Sequence, residues 1–107
     1  MTETGFGGTG HACEFETSLM LLIAPQLVIT ENIKPGENTS TFGWAEGDML
    51  SGAKASFFRS IKEMTPNGVF GDPTKSSPEK GKRITDVVLS ALKQIVTDLS
   101  STTNKKS

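Results

Sequence analysis

Between Ser77 and Leu99 the chain carries its longest periodic signal. Ile84, Val87, Val88, Ala91, Leu92, Ile95, Val96 and Leu99 fall on one face at helical spacing. Ser77 can cap such a helix, Pro78 suits its first position, and Glu79 suits its first turn. A stripe this long needs a broad apolar surface to lie on, and the rest of the 107 residues offers little of one. One other stretch shares the period. In residues 14–24, Phe15, Leu19, Leu22 and Ile23 line one face, Met20 and Leu21 widen it, and Pro25 stops it.

The segments between are turn-rich. Residues 1–10 are small, polar and glycine-rich, and read as loop. Residues 27–30 suit a brief strand or an extended exit, and residues 34–48 a long loop with Pro35-Gly36 and Glu46-Gly47-Asp48. Residues 55–64 fit a helix or an extended segment, with the balance towards extended. Thr65-Pro66-Asn67-Gly68 and Gly71-Asp72-Pro73-Thr74 are turn signals. The whole is expected to be one domain, 1–107, with residues 101–107 a disordered polar tail.

Bulk properties exclude some partners. A formal net charge of −1 points to no nucleic acid and no anionic membrane surface. One cysteine forms no internal disulfide. The longest apolar stretch, residues 19–25, falls far short of the roughly 20 residues that span a bilayer. The first residues lack the basic start and apolar run of a secretory signal. A soluble, cytoplasmic chain is the expectation.

Chemistry-bearing residues concentrate in Gly10-His11-Ala12-Cys13-Glu14-Phe15-Glu16. Gly5, Gly7 and Gly10 spell G-x-G-x-x-G, but too few residues precede Gly5 for the strand a dinucleotide site needs. Glycines that loosen the approach to a helix are the better reading. His11 is the sole histidine. Glu14 and Glu16, two positions apart, diverge by about 200° on a helix, so only one can share a site with His11. An imidazole and a carboxylate suit a divalent metal, or a base and its orienting partner. The plainer alternative is a capping loop whose acids answer the helix dipole. Cys13 adds a nucleophile reading, which adjacent Glu14 opposes. Trp44, the sole tryptophan, suits a substrate entrance or, more ordinarily, a packing or interface anchor.

Two segments carry a resemblance. Gly10-His11-Ala12-Cys13-Glu14-Phe15-Glu16-Thr17-Ser18-Leu19-Met20 is similar to the "GHAGE-hydrophobic-ETSLM" motif of the creatininase family of metal-dependent amidohydrolases. Gly68-Val69-Phe70-Gly71-Asp72-Pro73-Thr74, followed by Glu79-Lys80-Gly81, resembles that family's later "GV-x-GDP…EKG" segment. The order is right, and an amphipathic helix follows, as in the family. The resemblance covers nearly all of this chain but only the C-terminal part of the family's domain.

It implies an α/β chain, the incomplete C-terminal part of a three-layer α/β/α domain with a mostly parallel sheet. It implies hydrolysis of a non-peptide C–N amide bond by metal-activated water, with zinc or manganese, a small amide substrate, and assembly with homologous subunits as hexamers. His11 matches a histidine at the catalytic centre. Glu16 matches the glutamate that points at metal or substrate, with Glu14 as its rival. Gly71, Asp72 and Pro73 would form a substrate rim, or simply the turn before a capped helix. Two departures stand out. The family's usual glycine after His-Ala is Cys13 here, which would carry strain if that position needs a positive φ. The family's upstream Glu-x-His and Asn-Gly-His ligand segments have no counterpart in these residues. The expectation is therefore a fragment inactive in isolation, or else a non-catalytic module that docks on a full-length homologue.

Overall fold

The computed structural model describes residues 10–47 and 52–106, with side chains through residue 102. Gly5 and Gly7, two of the three glycines of the dinucleotide-like pattern, lie outside that range. Three α-helices organise the described residues: α1 (Glu14–Ile23), α2 (Ile61–Met64) and α3 (Pro78–Lys106). Single 3-10 turns at Pro25–Leu27, Thr30–Asn32 and Gly43–Ala45 punctuate the connections.

α1 ends where its sequence says it should: Ala24 caps it by donating its N–H to Met20 O at 2.8 Å, and Pro25 follows. Ser77 caps α3, its Oγ accepting from Lys80 N–H at 3.1 Å. α3 then runs 29 residues, through the polar positions beyond Ser100. At about 1.5 Å per residue it is roughly three times as long as the ten-residue α1 that packs on its start. The result is elongated: the radius of gyration is 17.5 Å, against about 13 Å for a compact domain of this size.

The α1–α3 contact uses an unexpected face of α1. Its buried residues are Glu14 and Ser18, four apart on one side, and Leu22 continues that row against Gly81. Phe15 and Ile23, expected to face the core, are exposed instead. The reason lies in α3. Gly81 has no Cβ, and a Cβ there would overlap Ser18 O, so the two backbones meet at this point. Close backbones favour short or hydrogen-bonded side chains. Ser77 N–H donates to Ser18 Oγ at 3.1 Å, and Ser76 Oγ to Glu14 O at 3.3 Å. Ile84 is buried one turn further along α3, but beyond it Val87, Val88, Leu92, Ile95, Val96 and Leu99 are all exposed.

The three-layer sheet expected from the resemblance is not present among the described residues. They form no named strand. One antiparallel bridge, His11 with Phe70, is their sole β pairing. Val28 and Ile29 have extended dihedrals between two 3-10 turns, but among the described residues neither takes part in a β pairing. A strand is stable only with a partner, which local preference cannot supply.

Residues 55–60 are irregular, and the chain then turns helical for one turn. Ser60 caps α2, accepting from Glu63 N–H at 3.2 Å while its hydroxyl meets Glu63 Oε1 at 3.1 Å. Ser60-Ile61-Lys62-Glu63 is the S-x-x-E capping pattern, a signal that the leaning towards an extended segment overlooked. Asn67, in the first of the two turns, ties the long loop down. Its Oδ1 accepts from Glu37 N–H and Val69 N–H, each at 3.2 Å, and its Nδ2 donates to Pro35 O at 3.1 Å. Asn67 therefore joins the loop at 35–37 to the segment leading to Phe70.

Candidate functional site

His11 enters on a backbone held from both sides. Its N–H donates to Phe70 O at 2.7 Å, and Phe70 N–H returns a bond to His11 O at 2.9 Å. Gly10 lets Phe70 come this close; a Cβ there would sit 2.5 Å from Phe70 O. The chain then turns sharply. Ala12 has φ +52°, while Cys13 is extended at φ −88°. The positive φ considered for Cys13 thus belongs to the residue before it. Ala12 N–H donates to Glu16 Oε1 at 2.8 Å, and Thr17 Oγ1 donates to Ala12 O at 3.2 Å.

These bonds set the two outer side chains together. His11 Nδ1 and Glu16 Oε1 are 4.0 Å apart, with the side chains 56% and 50% exposed. Two shallow grooves flank them. One, of about 320 Å³, is lined by His11, Ala12, Glu16, Thr17, Met20 and Leu27, with Val28. The other, also about 320 Å³, is lined by Gly10, His11, Ala45, Ile61, Met64 and Phe70 among others. His11 is the residue the two share.

Glu14 goes elsewhere. It is 1% exposed, and its Oε2 accepts from Lys80 Nζ at 2.6 Å; that ammonium also donates to Lys75 O at 2.5 Å. A buried carboxylate of this kind is tolerated because it is paired. The rotation between positions 14 and 16 accordingly separates a structural acid from an exposed one. Cys13 is a free, buried cysteine and lines neither groove, which leaves its sulfur out of reach from the His11 side. Gly71 and Pro73 are buried as well. Gly71 O accepts from Gly36 N–H at 2.7 Å, and Asp72 Oδ1 closes its own turn by accepting from Thr74 N–H at 2.9 Å and Thr74 Oγ1 at 2.6 Å. None of the three lines either groove beside His11. Trp44 stacks on Phe42 at 5.3 Å, with Phe57 edge-on to both. All three rings remain substantially exposed.

Two participants were not legible as such. Lys80 stood in the Glu79-Lys80-Gly81 segment with no role assigned, and Phe70 in the segment before Gly71-Asp72-Pro73. Only their place in the second motif hinted at either.

The donor set does not by itself fit a resident metal. Among the described residues no group of three or more His, Cys, Asp or Glu side chains could hold one. His11 and Glu16 make two, Glu14 is committed to Lys80, and Cys13 is buried. No helix among the described residues is long and apolar enough to cross a membrane.

A histidine and a glutamate at a helix start, a later Gly-Asp-Pro turn and a long capped helix are the features laid out along this chain. The chain belongs to the creatininase family, described as creatinine amidohydrolase, which its residues 1–96 match. Among individual proteins it is similar to the mycofactocin precursor peptide peptidase of Mycobacterium ulcerans (strain Agy99), with 33% identity over 78 residues. That match takes in 73% of this chain but 28% of the relative, so the chain spans little more than a quarter of that protein's length. No solved structure matches the chain. The family implies an α/β fold, of which the described residues hold helices, turns and the His11–Phe70 bridge.

Proposed function

We propose that the chain is one part of a creatininase-family hydrolase that cleaves a C–N amide bond, with His11 as its proton-handling side chain. The observation that carries this reading is the exposed His11–Glu16 pair at the junction of two grooves. In the proposed step, water adds to the carbonyl carbon and the C–N bond breaks. His11 accepts the proton that water loses and returns it to the departing nitrogen. A groove on each side of His11 suits an amide with substituents on both sides of the scissile bond. The similarity to a precursor peptide peptidase supports a peptide in that place, beside the small amide that the family description suggests. Zinc or manganese, which the family implies, would need ligands from outside the described residues.

The test is the chain on its own. It is expected to bind zinc or manganese weakly and to hydrolyse no creatinine-like amide. Equilibrium dialysis showing two tightly bound metals per chain would overturn the reading.

A second reading, a non-catalytic module that docks on a homologous subunit, is favoured by the exposed apolar half of α3. Here the expected outcome is self-association in light scattering. A monodisperse monomer with a sharp thermal transition would count against it.

A further inference from the structure

Glu16 is the third residue of α1, three after the cap position Cys13. A glutamate there ordinarily reaches back to the N–H of the cap residue itself. This one reaches a residue further, to Ala12 N–H at 2.8 Å. Ala12 is the one non-glycine residue with positive φ among those described. That region is crowded for any residue with a Cβ, and it persists only where the surroundings enforce it. The peptide unit joining His11 to Ala12 is held at both ends. Its carbonyl oxygen accepts from Phe70 N–H at 2.9 Å, and its N–H donates to Glu16 Oε1. Thr17 Oγ1 adds a longer bond, 3.2 Å, to the next carbonyl along. The grip on the N–H of the residue beside His11 therefore comes from Glu16.

We propose that Glu16 is a positioning residue rather than a primary metal ligand: by holding Ala12 in the left-handed region it fixes where the imidazole of His11 stands. Oε1 serves the backbone and lies 4.0 Å from His11 Nδ1, so one oxygen sets both the turn and the ring's near neighbour. The proposal rests on the reading of His11 as the reacting side chain.

NMR of the full chain tests it, because a single histidine makes the imidazole signals unambiguous. The two readouts are hydrogen exchange of the Ala12 amide and the Hα–Hβ couplings of His11. Glu16→Gln keeps an oxygen that accepts from Ala12 N–H, and is expected to hold exchange within about twofold of wild type, with His11 in one rotamer. Glu16→Ala is expected to speed exchange about tenfold or more and to average the couplings. Adding Ala12→Gly to Glu16→Ala removes the Cβ crowding and is expected to move both values back towards wild type. Glu16→Ala leaving both readouts unchanged would overturn the proposal. So would Glu16→Gln proving as disruptive as Glu16→Ala. No turnover or metal is measured, so failure here leaves the hydrolase reading standing. A failure of that reading would in turn leave these couplings as they are.

Discussion

The two ends of α3 share one helix and one apolar stripe, yet they live in different surroundings. At the N-terminal end Gly81 meets the backbone of α1, Ile84 is 3% exposed, and Lys80 reaches a buried carboxylate. Past Val87 the same stripe faces outward, with Ile95 54% exposed. Helical period therefore reports which side chains can be buried together, not whether anything covers them. Coverage is a matter of length: α1 has ten residues and α3 has 29. A second contrast lies within the N-terminal end itself: Lys80–Glu14 is enclosed at 2.6 Å, while Lys82–Asp86, starting two residues on, is exposed at 2.9 Å.

Lys80→Met offers the hardest blow to that contrast. It takes the ammonium away from a buried carboxylate, and a loss of about 3–5 kcal/mol is expected in urea unfolding followed by circular dichroism. A loss below about 1 kcal/mol would mean that the pair does not hold the joint. Ile84→Ala comes next, at about 2–5 kcal/mol in the same assay, through loss of packing and the cavity left behind. Gly81→Ala is expected to lose about 1–3 kcal/mol, because a methyl group must displace Ser18. At the other end, Ile95→Ala should stay within about 0.5 kcal/mol. If it matches Ile84→Ala, that end of α3 is covered in solution and the contrast fails. Lys82→Ala closes the series at about 0–1 kcal/mol, diminishing in salt.

What was legible in the residues was mostly local. The Pro25 stop, the Ser77-Pro78-Glu79 start and the Asp72 turn each depend on neighbours within four positions, and each stands where it was read. The divergence of Glu14 from Glu16 was local too, and the structure separates them. The reading of α1 was less successful at choosing its buried face. Hydrophobicity favoured Phe15 and Ile23, but Gly81 brought the α3 backbone against Ser18 and turned the polar row inward. A helix stood as one of two readings of residues 55–64, and the short α2 was set behind the extended one because β-branched and aromatic residues outweighed a capping pattern only four residues long.

The sequence by itself determined the bounds of α1, the start of α3, the Asp72 turn, and which acids could not share a site. Its two motifs were specific enough to point to the creatininase family, which the match over residues 1–96 bears out. Only the tertiary structure decided that Glu14 pairs with Lys80, 66 positions away, that Phe70 bridges to His11, and that the positive φ falls on Ala12. Caps and helix phase follow from bonds within one turn of chain. A buried carboxylate, a bridge and a crowded φ each persist because a distant segment supplies the partner, and no local pattern encodes which segment that will be.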